Sequence, residues 1–133
     1  MRTLALDYGS ARTGVAIADP SGTVVTPLEP VARAATRAGV GALAALVSEH
    51  DVERVVVGLP LSLRGEDTAQ TAEARAFAER LARRLGDGVA VVLHDERLTT
   101  ALARRDPSQV ASEHSRAAAH LLEDWLARSR PLD

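Results

Sequence analysis

The 133-residue chain has no cysteine, and all 16 of its Lys+Arg positions are arginine. Without thiols there is no disulfide, no thiolate zinc site and no cysteine nucleophile; without lysine there is no lysine-based catalysis. No stretch approaches the roughly 20 uninterrupted apolar residues that a membrane span needs. The opening MRTLALDYGS carries an apolar run too short for a signal peptide and broken by Asp7, so a cytoplasmic setting is expected. Aromatic residues make up only 2%, namely Tyr8, Phe77 and Trp125, which leaves little for recognition by stacked bases. Nor does one sign of charge dominate: the formal net charge is −2, so no global basic field draws a polyanion in.

What the chain does have is 46% apolar residues, enough for the core of one ordinary domain over residues 1–133. The arginine-only basic set has two readings. Genome base composition accounts for it without any function, while arginine's planar fork also suits phosphate contacts.

Hydrophobic periodicity sets out the elements. TLALD (3–7) and TGVAIA (13–18) read as strands of a hairpin across YGSAR, and Pro20-Ser21-Gly22 turns the chain into TVVTPLEPV, an edge strand because its two prolines cannot donate ladder bonds. From Ala34 to His50 the positions Val40, Leu43, Ala44, Leu46 and Val47 follow helical spacing. VERVVVGLP reads as a strand covered on both faces. Asp67, with Gln70 three residues on, predicts the cap of a helix that turns Ala72, Ala76, Phe77, Leu81 and Leu85 inward until Gly86 and Gly88 stop it. VAVVLHDE reads as another buried strand. Asp106, Pro107 and Gln109 predict the cap of a last helix with Val110, Ala117, Ala118, Leu121, Leu122, Trp125 and Leu126 on one stripe. The order β-β-β-α-β-α-β-α implies an α/β protein with a five-stranded mixed sheet, its first three strands an antiparallel meander, and helices on both faces.

In open α/β sheets ligands gather beyond the C-terminal strand ends. There the sequence places Asp7, then GLPLSLRG (58–65), then HDERLTT (94–100). Two acidic strand ends and a glycine-proline loop predict one carboxylate-lined cleft. Clustered carboxylates repel, so a cation between them is expected, and Mg2+ suits oxygen ligands. Metals so held stabilise attacking and leaving oxygens in phosphodiester hydrolysis. Each piece also has a plain reading: Asp7 as a turn residue, Asp95-Glu96-Arg97 as a solvated loop or an acidic helix start, and Gly9 and Gly14 as tight-turn residues.

LALDYGSARTGVAIAD, VVVGLPLSLRG, HDERLTTALA and AAAHLLEDWL together resemble, in order and over nearly the whole chain, the YqgF family, also called RuvX. That resemblance implies a ribonuclease H-like fold and a metal-dependent endonuclease. The family is described both as maturing precursor small-subunit (16S) rRNA in ribosome biogenesis and as resolving Holliday junctions. By position it implies Asp7 and Glu96 as ligands of Mg2+ or Mn2+, with Asp95 as an accessory acid. Gly9, Arg12 and Gly14 match the opening motif, and Gly58, Leu59 and Pro60 match the cleft-lining loop. Arg97, Thr99 and Thr100 follow the second acid, with Arg97 a phosphate clamp.

Two departures stand out. The family's third acid, in the last helix, is replaced by His114. At about 100° per residue His114 shares the stripe of Ala118, Leu121 and Trp125, so it is expected to face the sheet, either as a site residue or as a histidine packed at the core margin. Glu113 lies around the helix from it. Imidazole as a metal ligand favours Mn2+ over Mg2+. The second departure is a shortened basic stretch before that helix, with Arg104 and Arg105 as its only basic pair. The arginines expected near the cleft are Arg12, Arg64, Arg97, Arg104 and Arg105.

The expected partner is nucleic acid, either structured RNA or branched DNA, presented by a protein partner or by a ribosomal precursor particle, with the chain a monomer or a homodimer. Two other classes compete. Actin-like ATPases also place an Asp before a glycine-bearing hairpin, but close two such domains on a nucleotide. A non-catalytic ribosome-assembly factor would keep the fold and let the site decay, which His114 and the short basic stretch would both suit.

Overall fold

The central sheet has the strand order β3-β2-β1-β4-β5 in a computed structural model that describes residues 2–62, 64–95 and 113–129. The strands are β1 (Thr3–Asp7), β2 (Arg12–Ala18), β3 (Val25–Ala32), β4 (Arg54–Leu59) and β5 (Ala90–Asp95); the helices are α1 (Arg37–Glu49), α2 (Ala69–Leu85) and α3 (Glu113–Ser129). β1 pairs antiparallel with β2, and β2 with β3, while β1–β4 and β4–β5 are parallel. The mixed sheet with a leading meander is therefore as the sequence predicts.

Strand alternation divides the core into two layers. Leu4, Leu6, Val15, Ile17, Val55 and Val57 pack with Val40, Leu43 and Val47 of α1 and Phe77, Ala78 and Leu81 of α2. On the other face Ala5, Ala16, Ala18 and Val56 meet Ala118, Ala119, Leu121 and Leu122 of α3. The small residues of that second face let α3 lie close to the sheet. Trp125, lower on the same helix, stacks its ring 4.6 Å from the Arg54 guanidinium, a cation–π contact.

Four expectations change. Thr68, not Asp67, caps α2: Thr68 Oγ1 accepts from the Thr71 N–H (3.3 Å) and Thr71 Oγ1 accepts from the Thr68 N–H (2.9 Å). The choice is tertiary, because the Thr71 hydroxyl also donates to the Pro60 carbonyl (2.6 Å). Asp67 instead pairs with Arg75 at 3.0 Å in solvent, a contact of little energetic weight. With the cap shifted, Thr71, Ala74, Phe77, Ala78 and Leu81 face inward, whereas Ala72 and Ala76 are exposed.

β5 is the sheet's outer strand rather than a buried one, and Leu93 is 39% exposed. α1 starts at Arg37 with Thr36 as its cap, whose side chain accepts from the Gly39 N–H at 3.1 Å; residues from Ala34 form the preceding turn. The predicted cap at Asp106, Pro107 and Gln109, and Val110 with it, lies outside the described residues.

The corrected phase of α2 has a direct test. Ala74→Asp should unfold the protein or cost several kcal/mol, since it buries a charge, while Ala76→Asp should change stability by less than about 0.5 kcal/mol. Urea midpoints for the two variants decide it.

Candidate functional site

Asp7 ends β1, and its neighbours fix which way it points. Tyr8 stacks on Phe77 of α2, with ring centroids 4.8 Å apart, on the α1/α2 side. Burial, then the nearby Glu73 carboxylate, raises the Tyr8 pKa, against the opposing pull of Arg80. Alternation therefore sends the half-buried Asp7 side chain to the other face, with Ala5, under α3. Its partner across β1–β2 is Gly14.

Gly14 is where α3 begins to touch the sheet. A Cβ there would collide with the His114 carbonyl and the Ser115 N–H, so only glycine lets the first turn of α3 sit this close. β3 is bulged at the same place: the register shifts between Thr13↔Val31 and Val15↔Leu28, so that Glu29 and Pro30 face Gly14 alone. Pro30 has no N–H to lose at such a point.

This geometry corrects the reading of α3. His114 is exposed, and the residue facing the sheet is Ser115, 0% exposed. The buried residues of α3 are Ser115, Ala117, Ala118, Ala119, Leu121 and Leu122. His114, four before Ala118 and seven before Leu121, therefore shares their side of the helix but is not packed into the core margin, and its backbone lies beside Gly14.

The acids divide by face. Asp95 ends β5 level with Leu59, two strands from β1 and so about 10 Å away. His94 shares the α3 face, because its ring contacts Asp124 of α3 at 2.6 Å; alternation then puts Asp95 on the α1/α2 face, opposite to Asp7. Asp7 and Asp95 thus share an edge but not a cleft face. Glu96, Arg97, Thr99, Thr100, Arg104 and Arg105 lie outside the described residues. Among the described residues no group of three or more His, Cys, Asp or Glu side chains is placed to hold a metal ion; they supply Asp7 as one oxygen donor on the α3 face. Asp19, the other acid that ends an apolar run, has a different role. Its carboxylate accepts from the Thr23 N–H (2.7 Å), the Val24 N–H (3.0 Å) and the Ser21 hydroxyl (2.8 Å) and so closes the β2–β3 turn. Those bonds, the Val24 N–H first, hold its pKa below the ordinary carboxylate value.

The surrounding loops are tied down by hydroxyls. Thr13 Oγ1, 3.4 Å from both the N–H and the carbonyl oxygen of Gly9, staples the β1–β2 turn. Thr71 holds Pro60 of the Gly58-Leu59-Pro60 loop. Beyond it Ser62 accepts from the Glu66 N–H (3.0 Å), which turns the loop and leaves Arg64 exposed.

Sequence reasoning missed two arginines at this edge. Arg12 pairs with Ala32 across β2–β3, and the next residue of β3's exit, Arg33, donates its N–H to the Ala11 carbonyl (3.0 Å). Arg33 stands in the left-handed region at φ 47, its carbonyl accepting from the N–H (3.0 Å) and the hydroxyl (2.7 Å) of Thr36. Arg37 opens α1, whose first turn holds no acid. Arg12, Arg33, Arg37 and Arg64 are exposed, and none takes part in an ion pair among the described residues. No periodic signal marks a turn that folds back on the β1–β2 loop.

His94 and Asp124 were also missed as a pair. Burial pushes the Asp124 carboxyl up, but hydrogen bonds from His94 and from Arg128 (3.0 Å) outweigh it, and its pKa falls below the ordinary value. A carboxylate with a depressed pKa stabilises the fold above its unfolded pKa of about 4 and loses that contribution as pH falls through the folded value. Asp124→Asn should therefore cost about 1 kcal/mol at pH 7, discounted for partial exposure, and the gap from wild type should close between pH 4 and pH 2. Urea titrations across that range measure it.

A family model described as RuvX, Holliday junction resolvase, matches residues 1–128. A provisionally named pre-16S rRNA nuclease of Myxococcus xanthus is 38% identical, covering 100% of this chain and 92% of its own. Another, from an Anaeromyxobacter strain, is 42% identical over 95% of this chain and 96% of its own, and one from Nocardia farcinica is 42% identical over 94% and 77%. Among solved structures, Thermus thermophilus RuvC in complex with a Holliday junction substrate superposes with a TM-score of 0.57 at 17% identity, over 96% of this chain and 95% of the other. At that identity the likeness shows the shared ribonuclease H-like α/β fold.

Proposed function

Because this chain belongs to the RuvX family, we propose that it is an endonuclease hydrolysing phosphodiester bonds, with precursor 16S rRNA as its substrate, acting in the cytoplasm on the ribosomal precursor particle. The observation that carries this reading is Asp7. It is a half-buried carboxylate at the end of a central strand, opposite Gly14, where the first turn of α3 sits against the sheet. Relatives named for precursor rRNA match at 38–42% identity, which favours RNA; a four-way DNA junction is the alternative substrate.

In this reading Asp7 and Glu96 hold Mg2+ or Mn2+, and the oxygen-donor chemistry of a strand-end carboxylate suits such hard cations. Bound there, the metal would supply charge stabilisation for the attacking and leaving oxygens. His114 offers an exposed imidazole from a first turn whose backbone is beside Gly14, able to coordinate or to carry a proton. Asp95, on the other face, acts at most as an accessory acid. The arginine edge binds the backbone: Arg12, Arg33, Arg37 and Arg64, joined by Arg97, Arg104 and Arg105 with Thr99, offer forked donors to phosphate oxygens. Stacked aromatics play no part, so structured rather than single-stranded nucleic acid is the better substrate.

Asp7→Asn and Glu96→Gln should each lower cleavage by about two orders of magnitude or more, since loss of even an outer partner of a metal ligand costs 10–100-fold. The variants should keep the wild-type circular dichroism. The assay uses a precursor 16S rRNA fragment and a four-way junction with Mg2+ and with Mn2+, and Mn2+ should support the higher rate if His114 coordinates. No metal-dependent cleavage of either substrate by the wild type would favour the non-catalytic assembly role instead.

Binding gives a second test. Arg33→Gln with Arg37→Gln should weaken RNA binding regardless of sequence and reduce the slope of log K against log salt by about 1 for each lost contact. An unchanged slope in fluorescence titrations would remove both residues from the interface.

A further inference from the structure

The Ser115 hydroxyl of α3 is bonded to the backbone of two strands at once. Val15 and Leu28 are register partners in β2–β3, the first pair after the register shift. The Val15 N–H donates to Ser115 Oγ at 3.3 Å, and the Ser115 hydroxyl donates to the Leu28 carbonyl. One hydroxyl accepts and donates at once and so ties the helix to both strands beside the Glu29-Pro30 bulge. The serine is 0% exposed, and alanine there would remove both of these bonds from a buried site.

The bridge lies one residue from His114, whose carbonyl fills the space above Gly14, and Gly14 is the register partner of Asp7. We propose that Ser115 is a positioning residue, fixing the height and rotation of the first turn of α3 relative to the Asp7 carboxylate. The hydrophobic stripe alone does not do this. Ala118, Ala119, Leu121 and Leu122 are apolar contacts against Ala5, Ala16, Ala18 and Val56, and small flat surfaces of this kind permit sliding. A hydrogen bond to each of two strands does not. The inference rests on the reading of Asp7 as the carboxylate of the site.

The test compares the full-length wild type with Ser115→Ala. Amide exchange should show Val15 losing protection by about tenfold or more while Ala5 and Val56 keep theirs. Calorimetric titration with Mn2+ should show affinity falling about tenfold, as for other partners outside the ligand set. On the precursor rRNA fragment kcat should fall by a similar factor, with KM within about twofold. Ser115→Thr, which keeps the hydroxyl, should restore Mn2+ affinity. If the alanine variant does not fold, Ser115→Cys stands in for it, keeping the volume with a much weaker donor.

Unchanged Val15 exchange would overturn the bridge. Faster Val15 exchange with wild-type Mn2+ affinity and kcat would overturn the positioning role. A wild type that neither binds Mn2+ nor cleaves would overturn the reading of Asp7, and this inference with it, whereas an active wild type matched by its alanine variant defeats the inference alone.

Discussion

The architecture of this site depends on one contact, the backbone of α3 resting on Gly14 at a break in the β2–β3 ladder. Glu29 and Pro30 oppose a single residue there, and the missing side chain of Gly14 admits the His114 carbonyl. A side chain at residue 14 would lift the helix start from the sheet, and a regular ladder would leave no place for Ser115. Because Asp7 is the partner of Gly14 on the neighbouring strand, the same break that seats the helix also sets what stands over the carboxylate.

The edge around Asp7 is organised by neutral hydroxyls rather than by charge. Thr13 staples the turn after β1, Thr71 joins the start of α2 to Pro60, and Ser115 joins the start of α3 to two strands. All three are 0% exposed, and no buried side-chain polar atom among the described residues lacks a partner. Satisfied hydroxyls fix geometry without adding a field of their own. The arginines of this edge, Arg12, Arg33, Arg37 and Arg64, stay exposed beside it. Arg33 and Arg37 even run against local preference, one in a left-handed conformation and one at a helix N-terminus, both of which cost stability.

Much of this was legible in the chain. Alternation in LALD and VVV identified the central strands and placed Asp7 at an edge, and the family resemblance tied GLPL and the last helix to it. The failures came where neighbours compete on equal terms. Asp67 and Thr68 are both good caps, and only the Thr71 bond to Pro60 decides between them. α2 is rich in alanine, so Ala72 and Ala76 look as apolar as Ala74 and blur its phase. The valines of β5 read as buried because a strand carries no mark of its sheet position. His114 and Ser115 differ by one step of helix rotation, and the sequence does not show that the strand bulge offers its backbone to Ser115. Glu96 is known only from the resemblance, since it lies outside the described residues.

The central claim, that Asp7 forms the metal-binding half of the site where α3 meets the sheet, is tested most directly by anomalous diffraction from crystals grown with Mn2+. The account predicts a peak within coordination distance of an Asp7 carboxylate oxygen, on the α3 face of the sheet. A peak on the opposite face, or full occupancy elsewhere with none at Asp7, would contradict it.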